Sequence, residues 1–176
     1  MQIIKKRTPL EYTLYSVIIA VGILIDQVTK LLAVKLLMPK DTVPIIKDVL
    51  HLTYVENRGA AFGMFDDRRW LFMVPSVVMI VAMLIYLYFG YAETKLYAVS
   101  VSMIVSGGIG NMIDRTVLGY VVDFIDFRLI NFAVFNGADS FVCVGGGLLV
   151  LALVRDLIKE IRAKSAKSTE SGEEEK

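Results

Sequence analysis

The stretch WLFMVPSVVMIVAMLIYLYFGY, residues 70–91, runs 22 residues without a charged side chain. At 1.5 Å per residue a helix of that length crosses about 30 Å of hydrocarbon. Just beyond it, Leu96 to Ile113 gives a second uncharged run of 18 residues, narrowly long enough. The composition agrees. The 176 residues are 56% hydrophobic with a mean hydropathy of +0.61, against roughly 45–50% apolar residues in soluble domains. The solvent of this chain is lipid.

Two further runs are apolar but blemished. One extends from about Glu11 to Ala33 and contains Asp26 and Lys30; the other extends from about Phe132 to Val154 and contains Asp139. A cleavable leader fits Lys5-Lys6-Arg7 and the apolar stretch after it, but Asp26-Gln27 stands where a small-residue cleavage site belongs. The pattern predicts an all-α membrane protein with four transmembrane helices, at about 11–33, 70–91, 96–113 and 137–156. Residues 1–10 form a tail, 11–157 the membrane domain, and 158–176 a second tail whose Ser-Gly-Glu-Glu-Glu-Lys end predicts disorder. An even number of spans puts both termini on one side. Basic residues divide almost evenly between the two sides. The clusters flanking the first and last spans (Lys5, Lys6, Arg7; Arg155, Lys159, Arg162) favour cytoplasmic termini.

Residues 38–69 and 114–135 are then outer segments. Ile45-Ile46 and the alternating Leu50, Leu52 and Tyr54 predict two short strands turning at Lys47-Asp48, a small extracytoplasmic β element. The run Asn57-Arg58-Gly59-Ala60-Ala61-Phe62-Gly63-Met64-Phe65 follows. Its small residues allow close backbone approach, and Phe62 and Phe65 suit the membrane interface; an ordinary surface loop accounts for it as well.

Several chemistries are excluded. A net charge of +1 gives no field for nucleic acid. One cysteine, Cys143, rules out an internal disulfide, and one histidine, His51, rules out a two-histidine zinc motif. No metal or cofactor is expected. Neither a nucleophile elbow, a P-loop nor a Ser-x-x-Lys motif occurs, and Cys143 within an apolar helix is expected to be a buried, inert thiol.

What remains is carboxylates. Ionisable groups at membrane depth cost several kcal/mol and face protein or water. Asp26 has Lys30 at i+4, the spacing of an ion pair. Asp139 has no basic neighbour at that spacing, but Asn136 stands three residues ahead as a helix cap. The pattern Asn-x-x-Asp occurs at Asn111–Asp114 and at Asn136–Asp139, with Arg115, Asp123, Asp126 and Arg128 between them. Small residues at Ala98, Ser102, Ser106 and Gly110, and at Gly145-Gly146-Gly147, let the last two helices pack closely and bring these acids together. Two close aspartates cannot both ionise, so such a pair can serve as base and acid on water. The residues alone do not rank Asp123 above Asp114 as a member of that pair. They also leave open a proton-coupled small membrane transporter, although its carboxylates belong nearer the midplane. A solvated charged rim is the plainest alternative.

The same residues carry a resemblance. Asp26-Gln27-Val28-Thr29-Lys30, Asn57-Arg58-Gly59-Ala60-Ala61-Phe62, Gly110-Asn111-Met112-Ile113-Asp114-Arg115, Val121-Val122-Asp123-Phe124 and Phe135-Asn136-Gly137-Ala138-Asp139-Ser140 resemble, in that order, the motifs of the lipoprotein signal peptidase (signal peptidase II) family. The likeness spans about residues 20–150, and Gly137 departs from it where the family often has a larger apolar residue. It implies a membrane aspartyl endopeptidase of the bacterial inner membrane, with its active site near the outer face. By it the catalytic pair is Asp123 and Asp139. Asp26, Asn57, Gly59, Asn111, Asp114, Arg115 and Asn136 are implied as support and substrate-binding positions. The implied partners are diacylglyceryl-prolipoproteins and membrane lipid, with the enzyme expected to be a monomer. Arg115 is expected to pair with Asp114, making that acid a brace rather than a proton carrier.

Overall fold

The computed structural model describes residues 7–59, 70–91 and 94–174; of residues 70–72 and 166–174 the backbone alone is described. Ala60–Phe65, with Phe62 and Phe65, lie outside the described residues. In chain order the elements are α1 (Pro9–Leu36), β1 (Thr42–Ile46), β2 (Leu50–Asn57), α2 (Trp70–Tyr88), α3 (Lys95–Val117), β3 (Val121–Asp126) and α4 (Gly137–Glu174).

Helix α1 starts where its sequence tells it to. Thr8 is the N-cap and Pro9 takes the first helical position, where its missing N–H is no loss. The Thr8 hydroxyl accepts from the Glu11 N–H at 3.3 Å, and the Glu11 carboxylate accepts from the Thr8 N–H at 3.0 Å. Only a narrow stripe of the helix is buried: Tyr15, Ile19, Gly22, Asp26, Lys30 and Ala33. Leu14, Val17, Val21, Leu24 and Leu31 point outward on the other side. An apolar exposed face around a partly polar buried stripe is the arrangement a lipid solvent favours.

Helix α3 is the hub, packed against α1, α2 and α4. Its stripe Ala98, Ser102, Ser106 and Gly110 is buried, and the small residues there set the interhelix spacing. A β-carbon at Gly107 would collide with the Ala138 carbonyl oxygen, and one at Gly110 would lie 2.5 Å from Asp26 Oδ2. On α4 the buried positions Ala138, Gly145 and Ala152 recur every seven residues and meet α3. Of the three consecutive glycines, Gly145 is the one in close contact; Gly146 and Gly147 face open space. Cys143, two positions from Gly145, is rotated to the far side of α4 and is exposed, not buried as expected from an apolar helix.

Among the described residues, three helices are long and apolar enough to cross a membrane: α1, α3 and residues Gly137–Ser165 of α4. The apolar part of α2 whose side chains are described, Met73–Tyr88, is shorter and rises about 24 Å. Helix α4 does not end near residue 156; it continues as helix through the stretch expected to be disordered, to Glu174. Lysine, glutamate, alanine and arginine there are good helix formers, and Glu160 and Lys164 pair at 2.7 Å across one turn.

The strands form one antiparallel sheet in the order β1-β2-β3. The β1–β2 hairpin lies where alternation placed it, whereas β3 comes from a segment with no strand expectation. Its register sets Val55 opposite Asp123 and Asn57 opposite Val121. Val122 and Phe124 on β3, with Leu52, Tyr54 and Val43, pack onto Ala33 and Leu37 at the end of α1. That cluster seats the sheet on the helices and turns Asp123 toward the start of α4.

Candidate active site

Two groups of aspartates lie side by side where α1, α3, β3 and α4 meet. In the first, Asp26 is fully buried and Asp114 and Lys30 nearly so. Lys30 Nζ sits 2.9 Å from Asp26 Oδ2, 3.0 Å from Asp114 Oδ2 and 2.9 Å from Asn111 Oδ1, which uses all three ammonium protons. Asp26 Oδ1 accepts the Ala138 N–H at 2.8 Å, one of the free N–H groups at the start of α4. Asp114 Oδ2 accepts the Val122 N–H at 3.0 Å and so pins β3 to α3. Gln27 Nε2 bridges the two carboxylates, at 3.2 Å from Asp26 Oδ2 and 3.0 Å from Asp114 Oδ1.

The expected ion pair between Asp26 and Lys30 is present; the expected pair between Arg115 and Asp114 is not. Lys30 takes that place. The reason is helical geometry: successive residues point about 100° apart, so the buried face that carries Asn111 and Asp114 turns Arg115 away to a half-buried position. Lys30 and Gln27 were not among the residues singled out for the site. Charge at membrane depth marks Lys30 in the sequence as a partner of Asp26, but its contacts to Asp114 and Asn111 on α3 carry no local signal.

The second group is Asp123 and Asp139, which have no cation in contact among the described residues; asparagines hold them. Asn57 Nδ2 donates to Asp123 Oδ2 at 2.8 Å and Asn136 Nδ2 donates to Asp123 Oδ1 at 2.6 Å. Asn111 Nδ2 donates to Asp139 Oδ1 at 2.7 Å. The Asn136 backbone N–H donates to Asp139 Oδ2 at 3.2 Å, while the Asp139 N–H donates back to Asn136 Oδ1 at 3.0 Å. That reciprocal pair is a capping box at the start of α4, in which Asn136 caps and Asp139 is the third helical residue. Asn57 is held in turn by the Gly59 N–H, which donates to its Oδ1 at 2.9 Å. Gly59 has φ 82°, a left-handed conformation in which a side chain would be strained.

Asp123 is 1% exposed. Burial pushes its carboxyl up to about 6; the Asn57 and Asn136 hydrogen bonds and the Lys30 charge oppose that rise, and the Asp139 charge adds to it. Asp139 is half-buried at the N-terminus of α4. A buried carboxyl raised above its ordinary range, beside a second carboxyl group, is an arrangement that acid–base chemistry on water can use. Each carboxylate oxygen already accepts a hydrogen bond, and neither cysteine nor histidine is among the residues that hold the pair.

Residues 18–155 match the family described as Signal peptidase (SPase) II. The lipoprotein signal peptidase of Caldanaerobacter subterraneus subsp. tengcongensis is 53% identical over 133 residues, covering 76% of this chain and 90% of the relative. That of Halothermothrix orenii is 47% identical over 137 residues, covering 78% and 92%. A bacterial membrane enzyme solved by the in meso method at 2.3 Å resolution superposes with a TM-score of 0.76 at 28% identity, covering 89% of this chain and 94% of that one. With its apolar helices, its small antiparallel sheet and these relatives, the chain belongs to the signal peptidase II family, the membrane proteases that remove signal peptides from lipoprotein precursors.

Proposed function

We propose that this chain is an aspartyl endopeptidase that cuts diacylglyceryl-modified prolipoproteins immediately before the lipidated cysteine. The observation that carries this reading is the pair Asp123 and Asp139, bound by carboxamide and backbone donors and, among the described residues, without a cation in contact. Membership of a protease family removes the reason to keep the transporter alternative.

In the proposed reaction Asp139, as anion, takes a proton from water while the water oxygen attacks the scissile carbonyl carbon. Asp123, protonated, donates a hydrogen bond to the carbonyl oxygen and keeps its proton as the carbonyl re-forms. Collapse of the tetrahedral intermediate breaks the C–N bond, and the proton on Asp139 passes to the leaving amine. No covalent intermediate or metal takes part. The substrate's acyl chains stay in lipid, which holds the scissile bond near the membrane surface where the ends of α3 and α4 meet the sheet. On this reading α2 is the fourth span, the termini are cytoplasmic and the site lies toward the outer face. The basic clusters flanking α1 and α4 support that orientation. Asp26, Asn57, Gly59, Asn111, Asp114 and Asn136 are proposed as support positions, with Arg115 on the adjoining face of α3. The enzyme works as a monomer in this scheme.

The test is cleavage of a lipidated prolipoprotein in liposomes by the wild type and by Asp139→Asn. Loss of cleavage in a folded, inserted variant supports the reading. Near-normal turnover removes it.

A further inference from the structure

Three asparagines deliver a donor to the two proposed catalytic carboxylates, and each works in only one orientation, because a carboxamide has donors at one end and an acceptor at the other. Asn57 is fixed by the Gly59 N–H and Asn136 by the Asp139 N–H, both of which donate into the amide oxygen. At Asn111 the corresponding donors are side chains. Lys30 Nζ lies 2.9 Å and Asn136 Nδ2 3.1 Å from Asn111 Oδ1, and the Asn111 Nδ2 end faces Asp139.

We propose that Lys30 is a positioning residue for hydrolysis: by donating to Asn111 Oδ1 it locks the Asn111 amide with its Nδ2 toward Asp139 throughout the reaction. The inference rests on the catalytic-pair reading above. An ionised Asp139 would by itself favour that orientation of Asn111. Once Asp139 has taken the proton from water, an unrestrained amide could turn its oxygen toward the new O–H and stabilise the protonated form. Lysine has no acceptor, so a buried ammonium in contact with Asn111 forbids the turn. Asn111 then goes on presenting a donor to Asp139, and offers no acceptor that would hold the proton back from the leaving amine. Charge balance alone does not account for the geometry. Two of the three ammonium protons meet Asp26 and Asp114, and the third is spent on a neutral amide. Among the described residues, the charged groups beside the pair are Asp26 and Lys30 on α1 and Asp114 on α3.

The experiment compares Asp114→Asn with the double variant Lys30→Met/Asp114→Asn, which removes one buried cation and one buried anion together. Melting temperature, kcat, KM and the pH profile are measured on a lipidated prolipoprotein in liposomes. Relative to Asp114→Asn, the double variant is expected to lose about ten- to hundred-fold in kcat, the scale of one hydrogen bond to a charged group. Its KM should change by about twofold or less, as expected when an interaction of the transition state is lost. The alkaline midpoint should move to higher pH, since the Lys30 charge favours ionised Asp123. In an Asn111→Ala background the same Lys30 change should cost about threefold or less, because its target is already gone. Equal kcat and pH midpoint with and without Lys30, or an undiminished loss in the Asn111→Ala background, overturns the inference. If the double variant melts below the assay temperature, Lys30→Arg replaces it. A guanidinium also only donates, so retention of kcat within about tenfold with the wild-type pH profile supports the lock. A loss as deep as that of Asn111→Ala with normal melting overturns it. Cleavage surviving in Asp123→Asn or Asp139→Asn defeats the catalytic-pair reading instead, so the two failures are separable.

Discussion

The aspartates at the meeting of α1, α3, β3 and α4 differ in what they touch. Asp26 and Asp114 share a buried lysine, whereas Asp123 and Asp139 receive hydrogen bonds from asparagine amides and one backbone N–H. A cation at contact distance favours the ionised carboxylate strongly and takes it out of proton traffic. Neutral amides fix position and leave the proton free to move. On the proposed reading, these partners divide carboxylates of one residue type into braces and proton carriers.

The comparison breaks most visibly at the proton carriers. Asp123→Asn and Asp139→Asn are each expected to lower kcat by about 10²–10⁴-fold, the range for general acid–base groups, while the protein still inserts. Next come the braces. Asp26→Ala leaves Lys30 with one carboxylate and the buried Ala138 N–H without its acceptor, so it should destabilise by about 3–5 kcal/mol, as when one partner of a buried ion pair is removed. Denaturation in detergent checks this, and activity should fall with stability.

A smaller effect sharpens the same contrast through pH. Asp123 lies above the ordinary carboxylate value, at about 6, chiefly through burial. If it works protonated, kcat/KM is full below that value and falls as pH rises through it. Asn57 holds the value down by donating to the carboxylate. Asn57→Ala should therefore move the alkaline limb to higher pH, along with a loss of rate. A limb that moves to lower pH, or an activity that rises through pH 6, would reverse the roles of the two aspartates. The smallest effects are expected from chelators and from Cys143→Ala, since Cys143 lies on the far side of α4 from the helix interface. A large loss with chelator, restored by zinc, would overturn the mechanism.

Much of this was legible in the sequence, for local reasons. Charge-free runs mark α2 and α3, alternation marks β1 and β2, and Asn136 three residues before Asp139 marks the start of α4. The i+4 spacing of Asp26 and Lys30 gave their ion pair. What stayed hidden depends on contacts distant in sequence. Strand β3 is interrupted by Asp123 and owes its form to pairing with β2 and to the Asp114 carboxylate on the Val122 N–H. Lys30 reaches Asn111 across 81 residues of sequence, which no spacing rule conveys. Arg115 misled because adjacency in sequence is not adjacency on a helix. The tail after residue 157 reads as polar and solvated, and is also rich in helix formers, so its polarity did not decide its structure.

The division into braces and proton carriers is tested most directly by a melting curve beside a cleavage rate for Asp114→Asn and Asp123→Asn in the same detergent. Asp114→Asn should melt lower and cleave more slowly, because Lys30 loses one of its two carboxylates. Asp123→Asn should melt close to the wild type and not cleave. If Asp114→Asn is inactive yet melts like the wild type, while Asp123→Asn still cleaves, the two aspartates hold each other's roles and the account is wrong.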